Sequence, residues 1–282
     1  MDLSDIRRLV IIAMFSDDTL YRQLTLKGGN ALNLVYGFGS RSSVDVDLSL
    51  EKDFGDLEDS KQRIFRALKS RFAEAGYTVF DEKFEKRPQQ ERAGEENWGG
   101  YQIEFKLMDA KKFESMKDNL DQLRREATVI GPSQQRVFKI QISKHEYCLG
   151  KVATELDDYS IYVYTPTMIV IEKLRAICQQ MPEYPLRGYS TARARDFYDI
   201  YSTISKAELT LNTKENLELI RNIFAAKAVN LRLALIIEKY REFHRQDWPS
   251  VELTVSGELK TFDFYFDYVI SLVNSLQPLW EK

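Results

Sequence analysis

Residues Leu24 to Leu50, LTLKGGNALNLVYGFGSRSSVDVDLSL, decide how this chain is read. The apolar run Leu24 to Leu26 is broken by the pair Gly28-Gly29, and Ala31 to Tyr36 has the pattern of a short helix. The loop Gly37 to Ser42 leads into Val44-Asp45-Val46-Asp47-Leu48. Strict alternation over that last run predicts a strand. Val44, Val46 and Leu48 take one face, and Asp45 and Asp47 the other, about 6–7 Å apart at Cα. Two carboxylates on one face are costly to hold together unless positive charge lies between them. A divalent cation supplies that charge, and Mg²⁺ (or Mn²⁺) is commonly held by one or two carboxylates together with substrate phosphates. The Gly-Gly turn ahead of a helix offers close backbone approach and the N–H groups that hold a phosphate. Alone, each half reads as an ordinary turn or a solvated strand; in this order and this close, they read as both halves of a metal–nucleotide site.

The composition bounds the rest. The chain has 282 residues, enough for one large domain or two modest ones, and is 44% hydrophobic and 29% charged, as a core-forming protein is. A net charge of −3 provides no global basic field, so any RNA contact must come from a local patch. Two cysteines, Cys148 and Cys178, and two histidines, His145 and His244, are too few for a structural zinc site or a disulfide framework. The cysteines read as buried, reduced side chains of a cytoplasmic protein. MDLSDIRRLV lacks the pattern of a signal peptide, and no apolar run approaches the ~18 residues of a membrane span.

Outward from the opening stretch, residues 4 to 15 read as a helix capped by Ser4, and a short helix ends at Arg22. Ser60 to Ala75 is an amphipathic helix with Ile64, Leu68 and Phe72 on one face and Gly76 as its stop. Tyr77 to Phe84 and Tyr101 to Met108 read as two strands of an antiparallel hairpin around a polar loop, Lys86 to Gly100. Asp109 to Glu126 is helical in part, and Val137 to Ser143 and Ile161 to Val163 are further strands. From Thr165-Pro166 onward helices dominate: Thr167 to Gln179, Ala192 to Ser205, Lys214 to Ala226, Val229 to Arg245 and Thr261 to Leu276. The character thus changes near residue 165, which suggests an α/β part, 1–164, and a helical part, 165–282.

A second constellation lies in that helical part. Ile171-Glu172-Lys173-Leu174-Arg175-Ala176 is followed about twenty residues later by Arg193-Ala194-Arg195-Asp196-Phe197-Tyr198-Asp199-Ile200. Lys173 and Asp196 read either as an inter-helix ion pair or as a lysine for triphosphate charge with a carboxylate beside it. Arg193 and Arg195 add phosphate-binding capacity.

Lys27-Gly28-Gly29-Asn30-Ala31-Leu32, Tyr36-Gly37, Arg41-Ser42-Ser43-Val44-Asp45-Val46-Asp47-Leu48 and the lysine and aspartate of the second constellation together resemble the AbiEii/AbiGii toxin family of nucleotidyltransferases, within the polymerase-β-like superfamily. The resemblance implies an α+β fold: a nucleotidyltransferase domain with a mixed sheet, then an all-α C-terminal bundle completing the cleft. It implies transfer of a nucleoside monophosphate from an NTP to an acceptor, such as a tRNA 3′ end, with Mg²⁺, alongside an antitoxin partner in phage defence. It assigns Asp45, Asp47, Lys173 and Asp196 to catalysis and Lys27, Gly28, Gly29, Asn30, Arg41, Ser43 and Arg195 to the nucleotide. Such enzymes usually carry a third carboxylate on a neighbouring strand, and that place holds Gln141. Glu104, on the strand before, is either its substitute as a metal ligand or an exposed strand glutamate; Asp109 is a weaker candidate. Gln141 keeps a binding-only protein of the same fold in view, and a kinase-like transfer of the γ-phosphoryl is the third reading. Arg175, Arg187, Arg193 and Arg195, with Lys27 and Arg41, are expected to form a basic rim.

His145 reads as a surface or packing histidine, and His244 as a helix-end charge in a last turn. Phe262, Phe264, Tyr265, Phe266 and Tyr268 read as core packing rather than a base-stacking platform, and Trp248 and Trp280 as helix anchors.

Overall fold

The computed structural model describes residues 1–38, 45–89, 98–131, 134–186 and 190–280. The expectations for Arg41, Ser43, Val44 and Arg187 lie outside the described residues.

The strands are β1 (Leu24–Lys27), β2 (Val46–Leu50), β3 (Tyr77–Arg87), β4 (Gly100–Asp109), β5 (Phe138–Ser143), β6 (Val152–Leu156) and β7 (Tyr159–Val163). They form one mixed sheet in the order β3-β4-β5-β2-β1-β7-β6. The β2–β5 and β1–β7 pairs are parallel and the others antiparallel. Alternation sets the faces as predicted: Val46, Leu48 and Leu50 of β2 and Phe138, Ile140 and Ile142 of β5 are all buried. The strand β6 escaped the sequence because it pairs only with β7 and its first residues are exposed, so no apolar period marks it.

The helices of the first part are α1 (Leu3–Ser16), α2 (Asp18–Gln23), α3 (Gly28–Asn30), α4 (Leu57–Glu74), α5 (Ala110–Met116) and α6 (Leu120–Glu126). Asp2, not Ser4, caps α1: its carboxylate accepts from Asp5 N–H while the Asp5 side chain answers the Asp2 N–H, a reciprocal box that satisfies two orphan donors. Likewise α4 begins three residues before Ser60 because Asp56 caps it, and it buries Ile64, Leu68 and Phe72. After α3 the chain does not continue as a regular helix but widens into a π-helical stretch, Ala31–Val35, closed by Tyr36 N–H to Ala31 O.

Beyond β7 come α7 (Pro166–Cys178), α8 (Ala194–Ala207), α9 (Lys214–Ala225), a 3₁₀ stretch (Leu231–Tyr240), α10 (Arg241–Arg245), α11 (Trp248–Glu252) and α12 (Phe262–Ser275). The aromatic residues of α12 enter the core: Phe266 stacks on Phe197 of α8 at 4.9 Å, and Tyr265 meets Tyr198 edge-on. One hydrophobic core runs from Ile6 through the sheet to Leu276. Both cysteines are buried and outside any disulfide. No described helix is long and apolar enough to cross a membrane.

Candidate active site

Strand register assembles a polar row across the open face of the sheet. Lys27 of β1 lies opposite Asp47 of β2, Asp47 beside Gln141 of β5, and Gln141 opposite Gln102 of β4. Asp45 sits just before β2. Its carbonyl receives the Asn30 side-chain N–H at 2.5 Å, and Gln141 donates to its carboxylate at 3.4 Å. Asn30 itself is fully buried, with Arg7 behind it at 3.5 Å, so it positions Asp45 and does not reach the cleft. Gly28 is in the left-handed region (φ +70°), and a Cβ there would fall 2.8 Å from Asp47 Oδ2. Only glycine serves both the turn and the approach to the carboxylate.

The opposite wall comes from the helical part. Thr165 caps α7 and Pro166 opens it, which sends Glu172 and Lys173 to the cleft. Lys173 Nζ lies 2.8 Å from Asp196 Oδ1 and 2.7 Å from Asp199 Oδ2, all three buried, and Arg193 reaches Asp196 at 3.2 Å. The resulting cleft, of about 560 Å³, is lined by Lys27, Gly28, Gly29, Asp45, Asp47 and Gln141 on one side and Lys173, Arg193, Arg195 and Asp196 on the other. The two stretches that resemble one family, about 120 residues apart in sequence, thus line one cavity. Arg195 also donates to Ser250 at 3.1 Å.

The sequence reading missed Ser143, Glu172, Thr191 and Asp247, which also line the cleft, and Glu146 behind it. Glu172 carried a signal: Arg175 stands three residues on, the spacing at which helical side chains meet and pair. Asp247 precedes α11, a helix whose start at Trp248-Pro249 no period announces.

Behind the cleft, Lys27 lies 3.3 Å from both Glu146 and Glu172, and Arg175 lies 2.8 Å from Glu146 and 3.2 Å from Glu172. Lys227 approaches Glu146 at 3.8 Å and donates to the Lys144 carbonyl. Arg175 and Lys27 are therefore not rim residues: both are buried and spoken for, because Glu146 would otherwise be an unpaired charge in the core. Arg193 is partly exposed. Burial opposes the charge on Lys27, yet Glu146 and Glu172 outweigh it and hold its pKa up. Burial brings Lys227 down to about 8, with Glu146 resisting.

Burial also pushes Asp47 up to about 6; Lys27 opposes this, and Glu172 and Asp45 reinforce it. Asp45 moves the same way, chiefly by burial. Asp196 moves down: burial pushes up, but Lys173 and Arg193 prevail. His244 is not a helix-end charge. It is fully buried, burial lowers it to about 4, and its neutral Nδ1 accepts the Arg193 backbone N–H at 3.2 Å.

Glu104 does not line the cleft; it accepts from Gln102 and pairs with Lys139 at 3.6 Å and Lys83 at 3.8 Å. Asp109 caps α5. His145 is half-buried in the turn after β5, at φ +57°, and does not line the cleft. Among the described residues no group of three or more His, Cys, Asp or Glu side chains is arranged around a common metal position. Asp45 and Asp47, two carboxylates lining the same side of the cleft, fit a divalent ion as a two-carboxylate set completed by substrate oxygens.

The model of the nucleotidyl transferase AbiEii toxin family, of type IV toxin–antitoxin systems, matches residues 10–268. Among solved structures, the chain is similar to a putative nucleotidyltransferase from Helicobacter pylori, at 16% identity and a TM-score of 0.50, over 98% of this chain and 94% of that one. It is similar also to JHP933 from Helicobacter pylori, at 17% identity and a TM-score of 0.49, over 98% and 90%. At such identity the likeness is one of fold. No curated protein matches.

Proposed function

The chain belongs to the nucleotidyl transferase AbiEii toxin family, and from that premise we propose that it moves a nucleoside monophosphate from an NTP to a tRNA 3′ end. The observation that carries this reading is the facing of two unlike walls across one cleft: the carboxylates Asp45 and Asp47, both made less acidic by burial, opposite Lys173, Arg193 and Arg195.

Asp45 and Asp47 are the residues that would hold Mg²⁺ (or Mn²⁺), which when bound neutralises phosphate charge and aligns the acceptor oxygen with the α-phosphorus. Gly28-Gly29 lets the triphosphate approach the backbone. Arg193 and Arg195 bind its oxygens from the far wall. Lys173, held by Asp196 and Asp199, faces the charge that gathers on the leaving pyrophosphate. The acceptor hydroxyl displaces pyrophosphate at the α-phosphorus. An antitoxin counters this activity in the cell, as part of phage defence.

Gln141, beside Asp47 where a third carboxylate would stand, favours a second reading: a protein of the same fold that binds nucleotide without turnover. Incubation with total tRNA, Mg²⁺ and each α-labelled NTP separates the two. Label on tRNA 3′ ends, lost in Asp45→Ala, is the expected result. Label transferred only from the γ position would mean a kinase-like reaction. No transfer from any NTP, with NTP binding intact, would leave the binding-only protein.

A further inference from the structure

The cleft does not end at Ser143. It continues into a second pocket of about 260 Å³ that shares Lys27, Gln141, Ser143, Glu172 and Arg193 with it. Beside the charged Arg87, Glu146, Arg175 and Lys227, the new walls bring an aromatic side chain and an amide. Trp98 stands half-buried at the head of β4, and the side-chain amides of Gln102 and Gln141, opposite each other on β4 and β5, belong to the same pocket. Gln102 gives its N–H to Glu104 at 2.7 Å, and Gln141 gives its own to Asp45 at 3.4 Å. Those carboxylates fix the orientation of both amides, since a flipped amide would set oxygen against oxygen. Among the described residues neither amide oxygen accepts a hydrogen bond. A charged cleft thus opens directly onto an aromatic side chain and two acceptors that await donors.

We propose that this second pocket seats a nucleobase, stacked on Trp98 and donating its N–H groups to the amide oxygens of Gln102 and Gln141. The proposal rests on the reading of the first cleft as the phosphate-and-metal half of a nucleotide site. A planar ring joined to phosphates is the ligand whose two ends match the two cavities. An indole supplies a stacking face that suits any base. Two acceptors favour bases with an exocyclic amino group, because uracil offers a single ring N–H. The base belongs to the donor NTP in this reading; the terminal nucleotide of the acceptor carries the same chemistry.

Titration calorimetry of the full chain with Mg²⁺ tests this, using ATP, GTP, CTP, UTP, inorganic tripolyphosphate and the trinucleotide CCA. Trp98→Ala should weaken NTP binding about ten-fold or more. It should leave tripolyphosphate unchanged, and Trp98→Phe should restore binding to within about two-fold, as stacking requires. UTP should bind weakest of the four, and Gln102→Ala should level that preference. Weaker binding of CCA with unchanged NTP binding would assign the same pocket to the acceptor's terminal base. The proposal falls if Trp98→Ala changes neither NTP nor CCA, or if it abolishes tripolyphosphate binding as well, which would mark a structural role. A wild-type chain that binds neither NTP nor tripolyphosphate would refute the metal–nucleotide reading of the first cleft, a separate failure.

Discussion

Asp47, half-buried, and Asp196, buried, line opposite sides of one cleft, yet their acidities are displaced in opposite directions. Burial raises both. What differs is the company. Asp196 has an ammonium at 2.8 Å and a guanidinium at 3.2 Å. Asp47 lies opposite Lys27, but that lysine is already shared between Glu146 and Glu172. The helical wall is therefore neutralised from within, whereas Asp47 on the sheet wall shares its nearest cation with two other carboxylates. A carboxylate whose charge the protein has not matched is one that awaits a cation from outside; a matched one serves to hold its partner in place.

The largest effect should come from the unmatched side. Asp45→Ala and Asp47→Ala should each reduce nucleotidyl transfer by about 10³-fold or more, the order lost when a principal electrostatic group is removed. Circular dichroism should be unchanged. If both variants retain transfer within ten-fold, the sheet-wall carboxylates are not the metal side.

Breaking the matched side should act first on stability. Lys173→Met leaves Asp196 and Asp199 buried with their shared cation gone, at a cost of about 3 kcal/mol or more in urea unfolding. An unfolding midpoint that does not move would mean the trio contributes little to the fold.

Acid should find the same wall through His244. Its folded pKa is lowered, so the unfolded chain binds the extra proton between its ordinary value and about 4. Stability is then lost as pH falls from about 6.5 to about 4, by roughly 3 kcal/mol from this residue. His244→Phe should flatten that part of the pH–stability curve, and an unchanged slope would remove His244 from the account.

The smallest effect reverses sign. In metal-free protein at neutral pH the Asp47 carboxylate is ionised against its environment, because its folded pKa is raised above the unfolded one. Asp47→Asn should therefore stabilise the metal-free chain by about 1 kcal/mol while abolishing transfer. Destabilisation instead would show that Asp47 is matched after all.

Much of this site was legible before the structure. Periodicity identified β2, β4, β5 and α4, because each turns an apolar face into the core and keeps its polar residues on the other. The Gly28-Gly29 pair, the two aspartates, Lys173 and Asp196 stood out by residue type and spacing. What sequence could not carry was pairing. Nothing near Arg175 says that Glu146, twenty-nine residues earlier, will claim it and remove it from the rim. Nor does Asn30 reveal that it will hold the Asp45 backbone from behind. Capping chemistry was misread at α1, where Ser4 and Asp2 are both acceptable caps and only the reciprocal bond to Asp5 separates them.

The strand that carries Asp47 lies between β1 and β5, and β1 in turn lies against β7. Ribosomes deliver these neighbours far apart in time. When Asp47 emerges, its parallel partner Gln141 is 94 residues away, and Asp196, which steadies Lys173, follows still later. α12, against which α8 packs, comes last among the larger helices. A chain built this way cannot assemble its cleft piecemeal during synthesis. Translation itself imposes a delay: the two walls of the cleft can meet only once Asp196, about 150 residues after Asp47, has been made.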